Sequence, residues 1–188
     1  MKTTSKILTA LGGLLLSASI LSAQLGSSPS PGDVESAVND RLPSGVSVET
    51  AQPNQLATAL RSVWNCENVV DAVDAATAAN PRSAVAVTIA ATKDCPHLAA
   101  QIAGAAAANA PEHAVGIARA AASLASPDLG DAIIAAVVSA APSANAGDIA
   151  NAVGEAIRAA RAGAAVIIPE LEELIFDSDA NNPSPIGL

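Results

Sequence analysis

Proline recurs through the middle of this chain at a nearly constant interval. Pro81, Pro96, Pro111, Pro127 and Pro142 are separated by 15, 15, 16 and 15 residues. A fixed period of this kind is typical of stacked supersecondary units, each too small to bury a core alone. The interval therefore restricts the fold to short repeated elements joined by tight turns.

Each interval is predicted to be a helix. Proline fits the first helical turn because its missing N–H would be unpaired there, and the residue before the next proline is pushed out of helical geometry. Asn80 and Ser126 precede two of the prolines and are predicted N-caps. Of the 46 alanines, 38 lie within residues 66–165, and alanine has the highest helix propensity. We expect helices of about 11–12 residues, with short links that make neighbours antiparallel.

The apolar residues follow the same period. With each of the first four prolines as position one, an aliphatic β-branched residue stands at position seven and a small residue at position four. The segment 84–89 alternates like a strand, but we expect a helix because no partner strand is visible. The sequence predicts an all-α fold, an antiparallel stack of short alanine-rich helices in the form of an α-solenoid or an irregular helical bundle. The position-seven residues are Val87, Ile102, Ile117 and Ile133, and the position-four residues are Ala84, Ala99, Ala114 and Gly130.

The first 23 residues have the features of an export signal. Lys2 and Lys6 precede an apolar run over 7–21, and Ala23 is a small residue suited to signal peptidase. We expect cleavage near Ala23 and a periplasmic or extracellular protein. An uncleaved membrane anchor is the alternative, although the run is shorter than the ~20 residues that span a bilayer.

The rest of the chain divides by composition into three parts. Residues 24–52 are predicted to be a linker with one short helix over 33–42, and residues 53–165 form the helical-repeat domain. Residues 166–188 are predicted to form a short capping helix and an acidic tail. The helix would begin at Pro169, and its apolar residues would cover the open end of the stack, as solenoids require: Leu171, Leu174 and Ile175.

The two cysteines stand at opposing helix ends. Cys66 starts one unit and Cys95 ends the next, so in an antiparallel pair the two ends meet and an exported chain would form a Cys66–Cys95 disulfide. Two alternatives stay open. Cys95-Pro-His97 resembles part of the Cys-Pro-His-Cys active site of periplasmic disulfide oxidases, which implies thiol redox chemistry. A zinc site would combine both cysteines with His97 and His113.

The acidic tail carries a weak calcium candidate. Asp177, Asp179 and Asn181 match positions one, three and five of a calcium loop, but position twelve is Leu188 instead of glutamate. A solvated tail is the alternative. We expect no catalytic residue and no cofactor, because the chain has two histidines, no tyrosine and no Gly-x-Ser-x-Gly motif.

The repeat also resembles a known type of protein. Ala110-Pro-Glu-His-Ala-Val-Gly-Ile-Ala-Arg-Ala-Ala-Ala122 is similar to the repeats of exported alanine-rich bacterial proteins of unknown function, and the resemblance covers residues 66–163. It implies bacterial export and helical repeats. It implies no activity and no catalytic residues.

Charge narrows the choice of function. After removal of the signal the chain has 7 basic and 18 acidic residues, a net charge of −11, which excludes nucleic-acid binding and disfavours anionic membranes. We expect a structural or protein-binding role toward another cell-envelope or extracellular protein. The alternatives are a thiol redox or metal-binding protein that uses Cys95 and His97, and a membrane-surface or self-associating protein. Stable membrane insertion is not expected, and a homo-oligomer stays open.

Overall fold

The computed structural model describes residues 29–163, which contain eight α-helices and no strand. Four three-residue 3₁₀ turns precede the fourth to seventh helices. The helices are α1 (Pro31–Asn39), α2 (Pro53–Arg61), α3 (Val69–Ala79), α4 (Ala84–Asp94), α5 (Ala99–Asn109), α6 (Ala114–Leu124), α7 (Gly130–Ala140) and α8 (Ala146–Arg161).

The repeating unit is a 3₁₀ turn that begins at proline, followed by an α-helix of 11 residues. Helices α4 to α7 all have this form, and their turns start at Pro81, Pro96, Pro111 and Pro127. Proline fits the first position because the opening N–H groups of a helix have no partner within it. The predicted helical period is thereby confirmed, and the segment with strand-like alternation lies in α4.

The predicted caps at Asn80 and Ser126 are wrong. Neither side chain makes a cap hydrogen bond. Backbone hydrogen bonds within the 3₁₀ turns stand in place of side-chain caps. The N–H of Ser83 donates to the Asn80 carbonyl at 3.0 Å, and the N–H of Leu129 donates to the Ser126 carbonyl at 2.9 Å. A side-chain cap is unnecessary where the turn closes its own i to i+3 bonds.

The last repeat departs from the proline register. Pro142 lies in a turn, and α8 begins four residues later at Ala146. The Asn145 side chain caps this helix, because its Oδ1 accepts from the N–H of Gly147 at 2.8 Å and of Asp148 at 3.3 Å. An asparagine cap thus replaces the proline start here.

The helices form two rows. Most of them pack more extensively on the helix two places along the chain than on the next helix, so α1, α3, α5 and α7 form one row and α2, α4, α6 and α8 form the other. Asn109 near the end of α5 donates to Asp74 of α3 at 2.8 Å, which joins two helices of one row. Cys66 before α3 meets Cys95 after α4, so helices in different rows are antiparallel. The predicted all-α stack is confirmed, and its two-row form is that of an α-solenoid.

Positions seven and four of the repeat both contribute to the core. The aliphatic residues at position seven are completely buried, and alanine fills most contacts around them. Small residues let the backbones approach: a Cβ on Gly104 of α5 would lie 3.4 Å from the Ala136 Cβ of α7. At position four, a Cβ on Gly130 would lie 2.6 Å from the Ile157 Cδ1 of α8. A buried alanine removes little apolar area from water, so its contribution to stability depends on close contacts of this kind.

Residues 31–52 belong to the stack, although the sequence predicts a linker with a helix. The predicted helix is α1, and its start is fixed by reciprocal hydrogen bonds between Ser30 and Asp33. Val34 and Val38 of α1 are completely or almost completely buried, and the chain after α1 adds further buried apolar residues to the same core. Because the burial of these side chains is favourable, the segment packs on the helical stack and does not form an extended linker.

A buried asparagine ties this segment to α3. The Nδ2 of Asn80 donates to the carbonyls of Val48 at 2.9 Å and Ala51 at 3.0 Å. We expect Asn80→Ala to lower the free energy of unfolding by about 2 kcal/mol, because two carbonyls lose their donor in a buried place. Urea denaturation measures the change. Asn151→Ala, at an exposed position of α8, should stay within about 0.5 kcal/mol of the parent, and equal losses in the two variants would contradict the assignment.

Candidate functional site

Both cysteines of the chain lie at one edge of the stack. Cys66 and Cys95 are at disulfide distance, with their Cα atoms 5.6 Å apart. The pair links the loop before α3 to the residue that ends α4, as expected of antiparallel neighbours. Because α2, α4 and α6 end at this edge while α5 and α7 begin there, we call it the disulfide edge.

A charged cluster stands beside the disulfide. Arg61 donates to Asp94 through Nε at 3.0 Å and Nη2 at 2.7 Å, and the indole N–H of Trp64 donates to the same carboxylate at 3.1 Å. The hydrogen bonds from Arg61 hold the pKa of the Asp94 carboxyl below its ordinary value; partial burial opposes this and the Trp64 N–H adds to it. The cluster joins the ends of α2 and α4 across the disulfide edge.

This cluster makes part of the stability depend on pH. Because the pKa of Asp94 is lower in the folded protein than in the unfolded chain, its contribution is complete above the unfolded value of about 3.9 and is lost as pH falls through the folded value. We expect Asp94→Asn to cost about 0.5–1 kcal/mol at pH 7, since the pair is exposed to solvent. The difference should shrink in acid, as the pH falls through the folded pKa of Asp94. Urea denaturation over a series of pH values from 7 downward measures it, and a difference that persists unchanged in acid would contradict the role of the carboxylate.

An apolar groove opens along the same edge. It has a volume of about 560 Å³ and lies between the start of α5 and the connection from α6 to α7. Leu124, at the end of α6, is 38% exposed and is the exposed large hydrophobic residue within residues 29–163. We call this feature the edge groove. Its lining residues are Pro96, His97, Leu124, Ala125, Ser126, Asp128 and Leu129.

The predicted zinc ligands are not brought together. His97 lies on the 3₁₀ turn before α5, whereas His113 lies on the turn after it. A helix of 11 residues separates its ends by about 16 Å, so the four-ligand set is wrong. Throughout residues 29–163, no group of three or more histidine, cysteine or acidic side chains is placed to hold a metal ion.

The redox alternative involves Cys95 and His97, of which His97 lines the edge groove. Cys95 is 1% exposed and is paired with Cys66, while His97 is exposed. Thiol–disulfide exchange needs access to a sulfur atom. Cys66 is the exposed partner of the pair, so any exchange would begin on the side of Cys66 and not at the Cys95-Pro-His97 motif.

Three predictions fall outside the described residues. The export signal over 1–23, the capping helix and tail over 166–188, and the calcium candidate lie there; the last consists of Asp177, Asp179 and Asn181. Within the described part of the chain, none of the helices has the length and apolar character needed to cross a membrane.

Sequence reasoning missed the edge groove, although one signal was available. The last position of the 11-residue helices is polar in α4 and α5, where it is Asp94 and Asn109, but it is Leu124 in α6. A large apolar residue at a position that is exposed at Asp94 and half-buried at Asn109 indicates a side chain that the repeat does not bury. The groove itself depends on packing between rows, which the repeat pattern does not specify.

Comparisons of the chain with models of protein families, with curated proteins and with solved structures find no match. Observations that point to a function therefore come from the surface of the molecule, where the lining of the edge groove combines apolar residues with His97, Ser126 and Asp128.

Proposed function

We propose that this chain is an exported helical-repeat protein that binds another protein of the cell envelope or the extracellular space, without catalysis. The single observation that carries the proposal is the edge groove with its exposed Leu124. Helical stacks present extended surfaces of this kind to partners, and Leu124 is an apolar side chain on that surface that a partner could cover.

The groove has the composition of a contact surface. Pro96, Leu124 and Leu129 supply apolar area to its lining, while His97 and Asp128 supply hydrogen-bonding groups. Protein interfaces likewise combine apolar contact area with polar groups. A volume of about 560 Å³ has room for a few apolar side chains of a partner.

The location proposed for the protein has separate support. A cysteine pair at disulfide distance is typical of oxidising compartments outside the cytosol. The basic and apolar segments within residues 1–23 have the pattern of a cleaved export signal. The resemblance of the repeats to exported alanine-rich bacterial proteins supports the same location.

Site-specific photocrosslinking tests the binding role. A benzophenone side chain at position 124, in chains expressed in the native host, should give one reproducible adduct that contains a second protein. Leu129→Asp in the same chain should reduce the adduct at least about tenfold, because it places a charge in the apolar contact.

The control probe stands at Ala108, an exposed residue on α5 outside the lining of the groove. The same adducts from both positions, or none from position 124, would overturn the proposal.

Thiol titration of the exported protein under denaturing conditions tests the redox alternative: a reactive free thiol would favour it over a structural disulfide.

A further inference from the structure

A second groove lies between the segment after α1 and helix α2, and it shares no lining residue with the edge groove. Its volume is about 570 Å³, close to that of the edge groove. Arg41, Leu42 and Pro43 line it on the side of α1. We call this feature the arginine groove. The polar residues that line it from α2 and the residue after that helix are Asn54, Gln55, Thr58 and Ser62.

Arg41 is the charged residue of the arginine groove. Acidic residues outnumber basic ones 18 to 9 in the chain, yet none is among the residues that line this groove. The Arg41 side chain is half-buried, and its Nη1 donates to the Ala37 carbonyl of α1. Within residues 29–163, Arg41 forms no ion pair. Because a guanidinium carries several N–H donors in a fixed plane, most of them remain for a ligand.

The rest of the lining is apolar or uncharged. Leu42 is buried, and Pro43 lies exposed beside it. On α2, the Thr58 hydroxyl donates to the Asn54 carbonyl at 2.8 Å, so its oxygen keeps lone pairs that can accept a hydrogen bond. The Asn54 and Gln55 amides add N–H donors to the lining. The groove thus combines one cation with apolar carbon atoms and neutral hydrogen-bonding groups.

We propose that the arginine groove binds an organic carboxylate with an apolar body, and that Arg41 holds the carboxylate. A guanidinium matches the two oxygens of a carboxylate, and hydrogen bonds in such a pair are stronger than those between neutral groups. The apolar body of the ligand packs against Leu42 and Pro43, which removes apolar surface from water.

Two kinds of molecule carry this chemistry, namely the C-terminal residue of a peptide and a free alkanoic acid. Both present a carboxylate at the end of an apolar group. The site does not depend on the function proposed for the edge groove, because the two grooves have separate linings.

NMR titration of the full exported chain at neutral pH tests the proposal. The probes are N-acetyl-leucine, which represents a peptide end, and octanoic acid, each compared with its neutral amide. We expect at least one acid to bind at least about tenfold more tightly than its amide, because charge-assisted hydrogen bonds are the stronger ones. The pair with the larger difference identifies the source of the ligand. Shifts of the Leu42 and Thr58 backbone amides should locate it in the arginine groove.

Arg41→Gln should abolish the preference for the acid, and Arg158→Gln is the matched control. Arg158 also donates to the carbonyl four residues before it, that of Gly154 at 3.1 Å, but it is exposed and lies outside the lining. The Arg158→Gln variant should therefore bind as the parent does. Equal affinities for acid and amide in both pairs, or no binding of either acid, would overturn the proposal, and these measurements need no variant. A preference that survives Arg41→Gln would overturn it as well.

Discussion

Replacing Cys66 and Cys95 together by serine is expected to lower the free energy of unfolding by about 3–4 kcal/mol. The bridge spans 29 residues, and a closed loop of that length removes this much conformational freedom from the unfolded chain. The loss should be large relative to a total stability of about 5–15 kcal/mol. Urea denaturation of the oxidised parent and of the double variant measures it.

The parent protein offers its own control for this prediction. After reduction with dithiothreitol, its unfolding midpoint should coincide with that of the Cys66→Ser/Cys95→Ser variant. Equal midpoints would show that the loss of stability comes from breaking the covalent link between the two cysteines. A parent whose midpoint does not change on reduction would show that the pair contributes nothing to stability.

Truncation of a position-seven isoleucine is expected to have a similarly large effect. Ile117 is completely buried in α6, and Ile117→Ala should cost about 3 kcal/mol, from lost transfer energy and the cavity that remains. A buried methylene group contributes about 0.8 kcal/mol, so in a core built mainly of alanine a few isoleucines supply much of the apolar stabilisation. Thermal or urea unfolding provides the measurement.

Ile89 is the matched residue for this comparison. It has the same side chain and lies on α4 in the same row, but it is only partly buried. Ile89→Ala should cost about 1 kcal/mol, since solvent already reaches part of the side chain. Losses of equal size at the two positions would contradict the view that position seven supplies the core of the stack.

The features that were predicted well from the sequence are those that depend on residues close together in the chain. Proline at Pro96 or Pro111 ends one helix and starts the next through its own ring and missing N–H. Alanine between them favours a helix whatever surrounds it. For that reason the helical period followed from the residues alone. The helix over 84–89 was predicted against the strand-like alternation of its residues, because no partner strand is visible in the sequence.

The elements that sequence predicted poorly depend on contacts between distant segments. Asn80 looked like a helix cap, but its side chain donates to Val48 and Ala51, about 30 residues earlier in the chain. The segment before the repeats looked like a linker because residues 24–32 are rich in proline, glycine and serine and show no periodicity. Only the packing of α1 on α3 shows that Val34 and Val38 belong to the core.

The amino-acid sequence by itself determined where the units of α4 to α7 begin and end, and which cysteines stand at facing ends. Both follow from local propensity and from the antiparallel course that short links impose. Tertiary structure alone decided that the helices sort into two rows, which leaves Leu124 exposed at one edge and Ile134 partly uncovered at the end. The physical reason is that exposure depends on which neighbour covers a side chain, and residues far apart in the sequence supply that neighbour.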